Sequence, residues 1–187
     1  MIKSFAGVGS RKVPPEVYNQ LRDLGKMMAE HGIILRSGGA TGADMAFEDG
    51  CNLVHGQKEI YLPWKGFNRN ASPHYTEVPG MEELAITYHP GYNTLSQPIK
   101  KLMKRNGQQV LGQFLNDPTD LIICWTPDGK EHDTTKDTGG TGQAIRIANG
   151  HDIPVFNMQN LLSHDLLMEF IDEKILTRST INHKPPS

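Results

Sequence analysis

Three short segments combine glycine with hydroxyl and basic residues: Gly7-Val8-Gly9-Ser10-Arg11, Ser37-Gly38-Gly39-Ala40-Thr41-Gly42 and Thr138-Gly139-Gly140-Thr141-Gly142. A glycine loop lets backbone approach a ligand closely. Where such a loop opens a helix, free N–H groups and the positive end of the helix dipole together favour a phosphate. Ser10, Ser37, Thr41 and Thr141 add hydroxyl donors, and Arg11 adds a charged fork. The chemistry expected is therefore phosphate binding. Tight turns alone would also call for glycine, but three such loops at one edge weigh against that explanation.

The familiar nucleotide motifs are absent in an informative way. Gly7-Val8-Gly9-Ser10-Arg11-Lys12 lacks the third glycine of GxGxxG, and the second apolar run ends in Arg36 where a ribose clamp would need an acid. There is no GxxxxGK[ST], which excludes a P-loop NTPase. The eight histidines show no metal-ligand spacing, and Cys51 and Cys124 stand apart in apolar surroundings, so neither a metal nor a disulfide is expected. Asp44 reads as a brace for the first turn of its helix. Trp64 and Trp125 could stack on a base, with core or rim packing the equal alternative. Lys100, Lys101, Lys104 and Arg105 form a basic helix face, and Arg146 could face either ligand or solvent.

The elements that would position these residues alternate from the start. Residues 2–8 read as a strand, and Val17, Leu21, Leu24 and Met28 recur at helical spacing after Pro14-Pro15. Ile33–Leu35 is a second strand, followed by a helix with Ala43, Ala46, Phe47, Gly50 and Val54 on one face. Residues 59–62 make a third strand. A loop insertion at 63–80 follows, then a short helix at 81–88 and a longer one at 96–115 with Ile99, Leu102, Met103, Val110, Leu111 and Phe114 inward. Residues 120–125 form a central strand, the glycine loop at 138–142 opens another helix, and 153–156 is the last strand. A C-terminal helix carries Leu162, Leu166, Phe170 and Ile175, with 178–187 expected as a frayed tail. Strands joined by helices predict an α/β fold: a Rossmann-like parallel sheet covered on both faces, in one domain over 1–177. Ligands of such sheets bind beyond the carboxyl ends of the strands, where all three glycine loops fall.

Bulk properties narrow the classes. The 187 residues suit one domain with a substantial core. With 37% hydrophobic and 21% charged residues the chain is neither disordered nor membrane-like. No secretory signal is recognisable, which leads to an expectation of a cytoplasmic protein. The net charge of −2 offers no global field for polyanions.

The order Gly-Ser-Arg at 9–11, Ser-Gly-Gly-Ala-Thr-Gly-Ala-Asp at 37–44 and Gly-Gly-Thr-Gly at 139–142 resembles the SLOG superfamily. That group includes the DNA-processing protein DprA (Smf), the YspA-like proteins and the LOG phosphoribohydrolases. The resemblance spans about residues 1–157, and the compact form resembles small phage-encoded DprA-like proteins, which would place it in a host cytoplasm. It implies a bound nucleotide or ADP-ribose-type ligand, sensed or sequestered, with no cofactor required. The implied ligand residues are Gly9, Ser10, Arg11, Ser37, Gly38, Gly39, Thr41, Gly42, Asp44, Arg105, Gly139, Gly140, Thr141, Gly142 and Arg146.

Arg105 takes the place of an arginine that LOG enzymes carry before their glycine strand. Their glutamate after the loop is matched here by Ile145 and Arg146, and Asp137-Thr138 replaces the loop's leading residues. An N-glycosidase is therefore the alternative, with Arg105, Asp44, Glu48 and Asp128 as candidate catalytic groups and nothing in the spacing choosing among them. A DprA-like single-stranded DNA-handling protein is the second alternative. The acidic balance and single-domain form count against it, so nucleic acid is not an expected partner. A homodimer through the helices of 81–115 is expected from the relatives, and no membrane association.

Overall fold

The computed structural model describes residues 1–136 and 138–181. Five strands, β1 Ser4–Gly9, β2 Ile34–Ser37, β3 Lys58–Ile60, β4 Leu121–Trp125 and β5 Val155–Asn157, form one sheet in the order β3-β2-β1-β4-β5. Every pairing is parallel. Six α-helices lie among them: α1 Pro15–Glu30, α2 Ala43–Leu53, α3 Met81–Tyr88, α4 Gln97–Leu111, α5 Thr141–Gly150 and α6 Leu161–Ile181. This is the Rossmann-like α/β architecture read from the sequence. No described helix is long and apolar enough to cross a membrane.

The two faces of the sheet follow from the two-residue period of its strands. Phe5 of β1 and Ile123 of β4 pack with Leu21 and Met28 of α1, Ala46 and Phe47 of α2, and Leu167 and Ile171 of α6. Their neighbours Ala6, Val8, Ile122 and Cys124 pack with Val110 and Leu111 of α4 and Ala144, Ile145 and Ile147 of α5. Burial on both sides explains why β4 is an unbroken apolar run. Glycines at Gly25 and Gly50 bring α1 and α2 together. A β-carbon on Gly25 would meet the Phe47 carbonyl, and one on Gly50 would overlap that of Arg22. Each glycine costs a helix interior about 1 kcal/mol against alanine, and here that cost permits a close crossing.

The structure departs from the sequence reading at identifiable points. Helix α4 stops at Leu111 rather than 115, because Gly112 turns the chain at φ 78. Phe114 consequently lies outside the helix and 65% exposed, not inward. The 63–80 insertion folds back along the edge strand β3. The Leu62 N–H donates to the His74 carbonyl at 2.7 Å, and the Ser72 hydroxyl donates to the Ile60 carbonyl at 2.6 Å. The insertion thus covers a sheet edge that would otherwise be open to pairing. Helix α6 runs on to Ile181, and residues 182–187 of the expected tail lie outside the described residues, as does Asp137.

Candidate functional site

Strand order reverses between β1 and β4, which makes their carboxyl ends the switch point where ligands of this architecture bind. Gly9 and Trp125 are paired at those ends. Beside them lies a cavity of about 410 Å³. Its walls come from the end of β1 (Val8 to Arg11), from Ala40 and Asp44, from one face of α4, and from Pro127 with Thr138–Thr141. The first and third glycine loops line the cavity with several residues each, and the middle loop with Ala40 alone.

The first loop is fixed by its backbone. The Ser10 N–H donates to the Trp125 carbonyl at 3.0 Å, while the Ser10 carbonyl accepts from the Ala43 N–H at 3.1 Å. Ser10 and the exposed Arg11 are left at the cavity wall. In the third loop Gly139, at φ 66, turns the chain into α5, whose first turn holds no acidic residue. The first turn itself thus sets no carboxylate against an anion on the helix N-terminus.

The middle loop works differently from the sequence reading. Ser37, Gly38, Gly39, Thr41 and Gly42 are not among the cavity-lining residues. The Ser37 hydroxyl donates to the Gly7 carbonyl at 2.6 Å. A β-carbon on Gly42 would overlap the carbonyls of Ser10 and Arg11, and one on Gly38 would fall within the guanidinium of Arg105. These glycines make room for protein atoms rather than for ligand. Gly142 likewise sits off the cavity, where a β-carbon would crowd Arg146 and Thr134 at 3.2 Å.

Asp44 and Arg105 are the charged heart of the site, 3% and 5% exposed. Asp44 Oδ2 accepts the N–H groups of Gly38 at 3.1 Å and Ala40 at 3.3 Å, and lies 3.6 Å from Arg105 Nη1. Burial pushes the Asp44 carboxyl up to about 6, against the pull of Arg105 and of the N–H groups of Ala40, Gly38 and Gly9. Burial also lowers the Arg105 guanidinium, which Asp44 opposes and Arg11 reinforces. Asp44 stands in the first turn of α2, but its carboxylate bonds the Gly38 and Ala40 N–H groups of the preceding loop and that of Gly9, so it ties two loops together rather than capping its own helix.

Along the same face of α4, Asn106 donates to the Gly140 carbonyl at 3.3 Å and to Gln143 Oε1 at 3.0 Å, fastening the third loop to the helix. Arg105 Nε and Gln109 Nε2 are buried with no hydrogen-bond partner among the described residues. A buried unmet donor costs about 1–3 kcal/mol, and both belong to residues that line the cavity. Sequence reasoning missed Asn106 and Gln109. The available signal was the presence of polar amides on a helix face otherwise read as inward and apolar.

Several residues singled out from the sequence lie elsewhere. Arg146 donates from Nε to the Tyr88 carbonyl at 2.6 Å and from Nη1 to the Thr134 hydroxyl, so its guanidinium joins α3 to the 126–140 loop. Ile145, at the LOG glutamate position, is fully buried in the core. Glu48 pairs with Lys58 at 2.7 Å beside a separate cleft. Asp128 organises the 126–138 loop: burial pushes its carboxyl up, but hydrogen bonds from Thr138, Thr126 and the Lys130 N–H outweigh this and hold it low. Trp125 is a core residue whose indole N–H donates to Gln159 Oε1 at 3.0 Å, and Trp64 packs edge-on against Phe67. Neither tryptophan lines the cavity. On α4, Lys104 pairs with Glu77, Lys100 lies over the Tyr92 ring and Lys101 is exposed; of the four only Arg105 lines the cavity.

No protein-family model matches the chain, and no curated protein matches it. Among solved structures it is similar to DNA processing protein A from Helicobacter pylori, a structure describing that protein's single-stranded DNA binding mode. The TM-score is 0.50 at 16% identity, over 89% of this chain and 72% of that one. At this identity the likeness bears on the fold alone. It also corrects the expectation that nucleic acid is no partner. That expectation rested on a net charge of −2 and on the single-domain form, yet the neighbour sharing this fold binds single-stranded DNA. Polyanion binding depends on the local field of a groove, to which a whole-chain sum is blind.

Proposed function

We propose that this chain binds a nucleotide through its phosphate in the cavity at the carboxyl edge of the sheet. The observation that supports this reading is convergence. The loop at Gly9–Arg11, the N-terminus of α5 and the buried Arg105 all border one cavity at the switch point. The phosphate goes to the N-terminus of α5, with Arg11 and Arg105 as countercharges. Ile99, Leu102 and Met103 offer an apolar wall for a base or sugar face. Asp44 organises the loops, and a cavity of about 410 Å³ has the size of a small-molecule site. An ADP-ribose-type ligand belongs to the same chemical class.

A second reading is favoured by the structural neighbour: the phosphate belongs to a single DNA strand. Arg11 and Lys12, both exposed in the β1–α1 loop, suit a strand running past the cavity mouth. Calorimetric titration with AMP, ADP, ADP-ribose and a short single-stranded oligonucleotide separates the two. Saturable binding of a free nucleotide, lost in Arg105→Leu, supports the first reading. Binding of the oligonucleotide alone, with a steep salt dependence, supports the second. Free base and sugar phosphate in the recovered mixture would move the assignment to an N-glycosidase, and the absence of all binding would overturn both readings.

A further inference from the structure

Of the three buried side-chain nitrogens without a partner among the described residues, two belong to cavity residues of α4 and one, Gln143 Nε2, to a residue of α5 off the cavity. Gln109 is 2% exposed and Arg105 5%, and both line the cavity. Gln109 Nε2 and Arg105 Nε each lack a hydrogen-bond partner among the described residues. They stand together: a β-carbon built on Gly38 would meet both the Arg105 guanidinium and, at 2.6 Å, Gln109 Nε2. Asp44 lies 3.6 Å from Arg105 Nη1, with its acceptor oxygen already holding the Gly38 and Ala40 N–H groups. The cluster is thus rich in donors and incompletely satisfied.

We propose that Gln109 and Arg105 form a second anion subsite, so that the ligand is a nucleotide with two linked phosphoryl groups. The inference rests on the nucleotide reading above and names the ligand class within it. One phosphoryl group sits at the N-terminus of α5, beside Asn106, which bonds the Gly140 carbonyl. The other meets Gln109 Nε2 and Arg105 Nε. Asn106 and Gln109 are three residues apart on α4, roughly 4.5 Å along its axis, a separation that adjacent phosphoryl groups can span. A phosphoryl oxygen accepts from both donors at once and supplies the negative charge that a base carbonyl would not.

Titration of the purified full chain with AMP and with ADP tests this, in the wild type and in Gln109→Leu. The wild type binds ADP roughly tenfold or more tightly than AMP, the effect of one charge-assisted bond set. Gln109→Leu cuts that preference several-fold, because Arg105 remains, and costs ADP more affinity than AMP. Its melting temperature in the absence of ligand stays level or rises, because an unmet buried donor has been replaced by an apolar group of similar size. A purely structural glutamine would move stability and both affinities together. Gln109→Glu, which turns the donor into an acceptor, is the second variant and disfavours ADP more than AMP. Equal affinity for AMP and ADP in the wild type, or equal losses for both in Gln109→Leu, overturns the subsite and leaves the nucleotide reading standing. Failure of both nucleotides to bind the wild type overturns the nucleotide reading itself, and the subsite with it.

Discussion

The guanidinium of Arg105 occupies the space where a side chain on Gly38 would begin. A glycine of the second loop thereby admits a buried cation to the cavity wall, and Asp44 ties the two together by accepting the Gly38 N–H. Gly38→Ala should displace Arg105. The expected result is a loss of about 1–3 kcal/mol of stability from overpacking, together with loss of nucleotide binding. Chemical denaturation and calorimetry read the two effects separately. Unchanged affinity in a folded Gly38→Ala protein would remove Arg105 from the ligand site.

The third loop should behave in the opposite way. A β-carbon on Gly140 meets only the mobile end of Met103, at 3.4 Å. Gly140→Val should therefore leave the melting temperature nearly unchanged while its branched side chain blocks the approach to the α5 N-terminus. Retained ligand affinity in this variant would place the phosphate elsewhere.

Arg146 is expected to matter for the frame and not for the ligand. Arg146→Ala removes the links to Tyr88 and Thr134, and the loss of such bonds to a charged group costs about 1.5–3 kcal/mol. Thermal unfolding should show that loss, with affinity changed less than about threefold in the folded fraction. A tenfold drop in affinity with normal stability would restore Arg146 to the site.

The Asp44 carboxyl, held up to about 6 by burial, gives a pH dependence of defined sign. Its folded value lies above the ordinary 3.8, so between those values the folded state binds more protons than the unfolded one. Its contribution to stability is complete below about 4 and is lost as pH rises through about 6. A neutral Asp44 also opposes an incoming anion less, so affinity for a phosphodiester probe should rise as pH falls from 7.5 towards 5.5. The difference in melting temperature between wild type and Asp44→Asn, followed from pH 4 to 7.5, isolates this group. A difference independent of pH would contradict the assignment.

Much of this was legible in the sequence because strand and helix periods differ and glycine marks the junctions. The sheet, the order of its helices and the loops at Gly9 and Gly140 followed from those patterns. Other features depended on three-dimensional proximity that a sequence does not print. Gly38 and Gly42 looked like ligand glycines, but the atoms that exclude a side chain there come from α4 and from the β1–α1 loop. Arg146 follows a glycine loop by four residues, yet its position on α5 directs it to Tyr88. Net charge is a poor guide to nucleic acid because it sums over residues that never face one groove.

The central claim is that a nucleotide's phosphate sits at the N-terminus of α5. A crystal structure of the full chain grown with ADP tests it most directly. The account predicts a phosphoryl group within hydrogen-bond distance of the Gly140 and Thr141 N–H groups, with Arg105 and Gln109 contacting its neighbour and the base against Leu102 and Met103. Density for ADP outside this cavity, with Arg105 Nε and Gln109 Nε2 still without a hydrogen-bond partner, would contradict it.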